Sequence, residues 1–600
     1  MDDKAIRELV EHVREGLLPR RDFIRKMVSV GLTAPLASMM LMHYGVANAQ
    51  GKSPWPEYKP TKRGGAGTLR LLWWQGPVHL QPHFAGGTKE QEGSRIFYEP
   101  LGAWDSEGNM VPVLAAEVPS ASNGGVSSDL KTITWKLKQG VKWHDGQPFT
   151  ADDVLFTWQF AKDPATATVT IGTYKDIKVE KVDTYTVRVT FPKPTPYWAE
   201  PFCGPRGMII PKHVFQQYMG AKSREAPANV KPVGTGPYRI AEFRPGDMVR
   251  GEANPNYHIP NRPAFDAIEM KGGGDAVGAA RAVLQSGEYD YAWNLQVEDE
   301  ILKRLEQGGK GRVTITPTGN IEFIGLQTTD PWNEVDGERG SIKSKHPAFS
   351  DKAVRDAMAL LIDRKGVQDF IYGRTGFATA NFLNNPPKFR SPNMKYEFNI
   401  DKANQILDAA GWKKGSDGIR AKGNVKLHFV FQTSVNQPRQ KNQAIIKDAC
   451  SKAGIDMELK SVTAAVYFGS DSANPDTYQK FWTDMEMYTT TMTDPDPQVF
   501  MNQFVSKECA QKANKWEGRN IVRWRNDEYD KLYETATSEL DPAKRAAMFI
   551  RMNDMVCSDH YVIPEIGRPR VQAISNRMVV HDSGWDNDLW ALAHWYTASA

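Results

Sequence analysis

Cysteine is scarce in this chain: Cys203, Cys450, Cys509 and Cys557 are the only ones in 600 residues. That excludes a small fold stapled by many disulfides, and the wide spacing leaves three complete pairings open in an oxidising compartment. CxxC, HExxH and clustered Cys/His spacings are missing, which argues against a structural zinc site. A GxSxG nucleophile elbow and P-loop spacing are missing too, so a hydrolase reading has no recognised constellation behind it. The Gly272-Gly273-Gly274-Asp275 run reads as a loop ahead of a helix from Ala276 to Leu284. Nor is there an excess of one charge. A formal net charge of +4 argues against nucleic acid or an anionic membrane as the main partner. Beyond the N-terminal segment no second apolar run is long enough to span a bilayer.

What is there begins with the first 50 residues. Arg20-Arg21-Asp22-Phe23-Ile24-Arg25-Lys26, an apolar stretch from Met27 to Val46, and Ala47-Asn48-Ala49 before Gln50 read as a cleaved secretory signal over 1–49. Ser29, Thr33, Pro35, Ser38, His43 and Tyr44 interrupt the apolar stretch and weaken a membrane anchor. Arg20, Arg21 and Phe23 resemble a twin-arginine export signal, a substrate of the twin-arginine translocase, with Pro19 and Ile24 as departures. Ala47 and Ala49 form the small-x-small exit. No cysteine precedes Cys203, so no lipid-modified N-terminal cysteine follows cleavage. The mature protein is expected to diffuse in a periplasm, with room for two or three domains.

Periodicity then places elements. Gly67 to Trp74 reads as a buried first strand, followed by a loop with Gln75, Gly76, Pro77, His79, Gln81 and Pro82. From Thr132 the alternation of Ile133, Trp135 and Leu137 gives a strand. Trp143-His144-Asp145-Gly146 gives a turn, and Thr150 with Asp153 a capping box that opens a helix. A hairpin is expected over Val179 to Phe191. Gly234-Thr235-Gly236-Pro237 suits a tight turn or a crossing between lobes. Apolar residues at i, i+3, i+4 and i+7 predict helices through Val354 to Leu361 with Ser350 as cap, Ala403 to Ala410 ended by Gly411, and Ile446 to Ala453 ended by Gly454. Helices and strands alternate throughout, so the fold class is α/β.

Asp129 to Trp158, DLKTITWKLKQGVKWHDGQPFTADDVLFTW, resembles the signature of the family 5 extracellular solute-binding proteins, the peptide, dipeptide and nickel receptors of ABC importers. Tyr98-Glu99-Pro100-Leu101, Pro112 to Ala115, GTGPYRIAEFRPGDMVRGEANPNY over 234–257, and VRDAMALLIDR over 354–364 extend the likeness. The resemblance implies a periplasmic-binding-protein-like fold of type II, cluster C: two lobes, a hinge and an additional domain. It maps lobe I to 65–98, 233–320 and 568–600, the additional domain to 99–232, and lobe II to 321–567. It further implies a monomer that delivers a small peptide or peptide-like solute to ABC permease subunits, without cofactor or catalysis. A receptor for an opine, an oligosaccharide or a nickel complex is the alternative.

In peptide-binding members of that family an aspartate three residues before an Asp-Pro-Asp tripeptide anchors the α-ammonium group. Aligning that tripeptide with Asp494-Pro495-Asp496 puts Thr491 at the anchor, a hydroxyl without charge, unless Asp494 or Asp496 takes over. Other candidate ligand contacts are Trp74, Gln75 and His79 at the first strand end, Trp293 and Asn294, then Trp482, Tyr488 and Thr489. The run around Trp482 to Thr491 lacks lysine and arginine, which favours a neutral or zwitterionic solute over a strongly acidic one. His79 and His83, four apart in a proline-rich loop, are weak metal candidates.

Overall fold

The computed structural model describes residues 9, 10, 12, 13, 18, 20–29, 60–469, 471 and 473–598. Arg20, Arg21 and Phe23 fall in a helix, Arg20–Ser29. Ala47 and Ala49, with most of the apolar stretch before them, lie outside the described residues.

Two large sheets organise the chain. The first has seven strands in the spatial order Gly311–Thr316, Arg570–Ser575, Tyr291–Ala292, Thr68–Trp73, Ala267–Gly272, Met248–Ala253 and Tyr238–Arg244. Its central strand, Thr68–Trp73, alternates: Leu69, Leu71 and Trp73 are buried while Thr68 and Arg70 are exposed, because successive side chains point to opposite faces. That strand runs parallel to both neighbours, with Leu71 opposite Tyr291 and Met270. Helices Ala276–Leu284 and Asp299–Glu306 bury Ala280, Val283, Leu284 and Leu302 in a separate core that includes Trp74. Asp275 caps the first of them by accepting from Gly278 N, so the triple-glycine run is the anticipated loop.

The second sheet has six strands: Phe377–Ala378, Val562–Gly567, Ile321–Leu326, Met485–Thr490, His428–Ser434 and Asp456–Val462. Strand Ile321–Leu326 serves two cores, Ile321 and Phe323 one of them, Ile324 and Leu326 the other. Helix Gln437–Lys452 connects the parallel pair His428–Ser434 and Asp456–Val462, and Gly454 just after it holds a φ of +76. Helix Lys352–Leu360 is capped by Asp351, not by the expected Ser350. The carboxylate accepts from Ala353 N at 3.0 Å, and an anion is the better acceptor at a helix N-terminus.

A third, three-stranded sheet pairs Thr186–Thr190 with both Thr132–Lys136 and Lys178–Asp183. Around it lies a core of its own with Trp104, Trp135, Trp143 and Phe149. Thr150 and Asp153 form the capping box that opens helix Ala151–Lys162. This unit returns to the first sheet through Gly234-Thr235-Gly236. The glycines serve close approach more than turning: a Cβ on Gly234 would lie 1.8 Å from Phe97 O, and Gly236 N donates to that oxygen at 2.8 Å. All four cysteines are buried and unpaired.

The chain passes between the two large sheets twice, at 317–320 and at 568–569. On one side of the passage Thr316 pairs with Arg570, and on the other Ile321 pairs with Gly567, so a two-stranded antiparallel ribbon runs from one sheet into the next. Arg568 N donates to Asn320 O at 2.9 Å and Thr318 Oγ1 to Arg568 O at 2.8 Å, tying the two passages together. Gly234→Ala should force Phe97 away and destabilise the fold by about 1–3 kcal/mol, read as a lower urea midpoint with an unchanged slope.

Candidate ligand-binding site

Where the two sheets and the three-stranded unit meet at this ribbon, a cavity of ≈ 1570 Å³, counting the solvent at its mouth, opens. Every part of the fold contributes to its wall. Gln75, Trp293, Asn294 and Asn587 come from the first sheet and its loops, Val169 and Arg206 from the three-stranded unit. Tyr478, Tyr488, Thr491 and Arg519 come from the side of the second sheet, and Asn320 and Arg568 from the passages.

Of the residues expected from sequence, Gln75, Trp293, Asn294, Tyr488, Thr489 and Thr491 line the cavity. Trp293 is held by an aromatic stack, 5.4 Å from Trp73 with planes 5° apart. Tyr488 packs edge-on against Phe323 at 4.8 Å and Tyr478 at 5.1 Å. The other four are placed elsewhere. Trp74 is buried among the helices behind the first sheet, where its indole N–H donates to Trp293 O and Asn294 O and so positions that wall from behind. His79 accepts from Gln81 N at 3.3 Å, and burial, with Lys89 and Arg224 nearby, pushes it down to about 3. Trp482 donates to Arg339 O at 3.1 Å and packs on Trp516. Asp494 accepts from Tyr197 OH at 2.7 Å. Asp496, the other possible stand-in, caps helix Pro497–Met501 and pairs with Arg545.

Two amides have unspent hydrogen-bonding capacity. Gln75 Nε2 and both polar atoms of the Asn587 side chain are buried in the cavity wall with no partner among the described residues. A buried amide without partners costs about 1–3 kcal/mol, and at the cavity wall such groups are free to bond to a polar group placed in the cavity. Thr489 differs. Its hydroxyl donates to Glu322 at 2.7 Å and accepts from Arg439 at 3.0 Å and Arg568 at 3.2 Å, so it is spent on the wall itself.

Glu322, on strand Ile321–Leu326, is the hub of that wall. Fully buried, it accepts from Arg439 Nε at 3.0 Å, Gln296 Nε2 at 3.2 Å and the Tyr372 hydroxyl, with Arg568 at 3.6 Å. Burial pushes the carboxyl up, but the two guanidiniums and the two hydroxyls outweigh it and hold it at about 2. Gln296 belongs to the first sheet's side and Arg439 to the second's, so the network spans the hinge. The run Trp482 to Thr491 lacks lysine and arginine, but arginines from elsewhere in the chain reach the cavity. Arg206, Arg439, Arg519 and the pair Arg568 and Arg570 reach it from four segments far apart in sequence. No local pattern around Trp482 to Thr491 carries that information.

A two-lobed α/β protein with a ligand-sized cavity at its hinge is a solute-binding architecture. A family model for the bacterial extracellular solute-binding proteins, family 5 middle, matches residues 109–512, and the chain belongs to that family. It is 27% identical over 474 residues to the oligopeptide-binding protein AppA of Bacillus subtilis, covering 77% of this chain and 79% of that one. The structure of AppA with a nonapeptide matches at a TM-score of 0.76 and 24% identity over 90% of this chain and 100% of that one. NikZ from Campylobacter jejuni, in complex with Ni(L-His), matches at 0.73 and 20% identity over 89% and 100%. AgaA from A. tumefaciens R10, in complex with agropinic acid, matches at 0.71 and 19% identity over 88% and 99%. The fold class is thus periplasmic-binding-protein-like, with two lobes, a hinge and an additional domain.

Glu322 makes the hinge pH-sensitive on the acid side. Its folded value lies below its unfolded one, so its stabilisation is present above about pH 4.5 and is lost as pH falls toward about 2. Glu322→Gln, which strands two arginines, should cost about 3–5 kcal/mol at pH 7 and flatten the dependence of stability on pH over that acid window, measured by urea unfolding.

Proposed function

We propose that this protein is the extracytoplasmic receptor of an ABC importer, capturing a peptide or peptide-like solute between two lobes and delivering it to permease subunits in the inner membrane. The observation that carries the reading is the cavity at the double passage, walled by both large sheets and bearing the unpartnered amides of Gln75 and Asn587. The lobes are assigned as 65–98, 233–320 and 568–600 for the first, 321–567 for the second, and 99–232 for the additional domain. Closure about 317–320 and 568–569 buries the solute, and the closed form is populated in proportion to its extra contacts with ligand. Gln75, Trp293, Asn294, Tyr488 and Thr491 are the assigned ligand contacts, Trp293 and Tyr488 supplying flat apolar surface and the amides and hydroxyl fixing orientation.

Peptide-binding relatives support a peptide-like solute. The free peptide N-terminus is not the anchor, however: Thr491 carries no charge, and Asp494 and Asp496 are engaged by Tyr197 and Arg545. The leader over 1–49 directs twin-arginine export through Arg20 and Arg21, and the mature monomer works in the periplasm.

Purified mature protein, screened against di- to pentapeptides, opines, oligosaccharides and Ni²⁺, should respond to its solute with a changed tryptophan fluorescence and no turnover. Stabilisation should reach about 2.7 kcal/mol at a hundredfold excess over Kd. Release of product from any of these compounds would refute the receptor reading. N-acetylation of a bound peptide should leave its affinity within about twofold; loss of binding would restore an ammonium anchor. Replacing Arg20 and Arg21 by lysine should strand the precursor in the cytoplasm, scored by cell fractionation.

A further inference from the structure

Arg206 and Arg519 reach the cavity from different parts of the fold. Arg206 ends the short turn Gly204–Arg206 of the three-stranded unit, and Arg519 lies on a loop of the second lobe after the turn Lys512–Asn514. Both are half-buried. The other cations of the wall are spoken for: Lys89 by Glu90, Arg439 and Arg568 by Glu322, Arg570 by Asp588. Neither Arg206 nor Arg519 has an ion pair or side-chain hydrogen bond among the described residues.

The two guanidiniums feel each other. Arg519 is the largest influence on Arg206, and together with burial it holds that group down to about 10. Asp494, Glu200 and the Tyr478 hydroxyl pull the other way. Each of the two acids has another partner. Asp494 accepts from Tyr197 and is itself pushed up to about 7 by burial, and Glu200 accepts from Thr173 at 2.6 Å. Beside Arg519, Glu517 is pushed up to about 7, chiefly by burial, and its nearest cation is Arg224 at 3.5 Å. Like charges held across a partly desolvated cleft repel, and the repulsion opposes any motion that brings them together. An anion between them reverses the sign of that interaction.

We propose that Arg206 and Arg519 form a two-sided anion clasp, in which a carboxylate-type group of the solute is gripped at once from the three-stranded unit and from the second lobe. The clasp rests on the receptor reading and adds the charge of the solute to it. Planar guanidiniums suit a carboxylate because each presents two parallel N–H donors to its two oxygens. The same pair makes closure selective: a neutral solute leaves the repulsion in place, whereas an acidic one stabilises the closed form more than the open one.

The test titrates mature protein with malonate and with malonamide, its neutral counterpart, at an ionic strength fixed with chloride, reading melting temperature and tryptophan fluorescence. Malonate should raise the melting temperature and malonamide should not. R206Q and R519Q should each weaken the malonate response about tenfold, and the double variant by less than the product of the two. Because neither side chain is bonded among the described residues and their mutual repulsion is relieved, the variants should not lower the unfolding midpoint. R206K and R519K, which keep the charge without the fork, should fall between. Indifference of the wild type to malonate, an equal response to malonamide, or an undiminished response in both glutamine variants overturns the clasp. The receptor reading is judged separately, since a solute from the screen that binds R206Q/R519Q as tightly as wild type removes the clasp and leaves the receptor standing.

Discussion

Keeping an ionised carboxylate in the interior at the junction of two sheets is tolerable only where cations and donors converge on it, and Glu322 is such a case. Two guanidiniums, two hydroxyls and an amide surround it. Each donor comes from a segment that has to be placed by something else: Arg439 by helix Gln437–Lys452, Thr489 by strand Met485–Thr490, Arg568 by the return passage, Gln296 by the first sheet. A shift of any one leaves buried charge uncompensated, which is far costlier than a lost surface contact. The network thereby fixes the geometry of the cavity floor.

Above that floor the walls are less constrained. Among the described residues only the ribbon at 317–320 and 568–569 joins the large sheets covalently, while the cavity collects side chains from both and from the three-stranded unit. Rigid pieces joined through two short passages can rock about them while each keeps its own core. The pieces that wall the cavity are thus the same pieces that the two passages join. The amides of Gln75 and Asn587 and the guanidiniums of Arg206 and Arg519, which lack hydrogen-bond partners among the described residues, all lie at this junction.

Much of this was legible beforehand, for local reasons. The alternation of Ile133, Trp135 and Leu137, the Thr150–Asp153 box and the glycine after helix Gln437–Lys452 are short-range signals, and each produced the element it implied. Ser350 gave way to Asp351 because two adjacent residues could cap and the carboxylate is the stronger acceptor. Candidates at the site depended on longer-range placement. Trp293 follows the short strand Tyr291–Ala292 and Tyr488 lies within the strand Met485–Thr490, which is buried without alternation, while Trp74, Trp482 and Asp494 are bound to partners remote in sequence and His79 to Gln81 two residues on.

The sequence by itself determined the α/β class and most of the elements, because these rest on periodicity, caps and turn residues acting over a few positions, and its motifs carried the likeness to the family. Tertiary structure alone decided the charge of the cavity. Arg206, Arg439, Arg519 and the neighbouring Arg568 and Arg570 are brought to one space from four parts of the chain, and Arg439 and Arg568 are neutralised by Glu322, which is remote from both in sequence. Electrostatic partnership is set by distance in space and by burial, and neither is encoded in the spacing of residues along the chain.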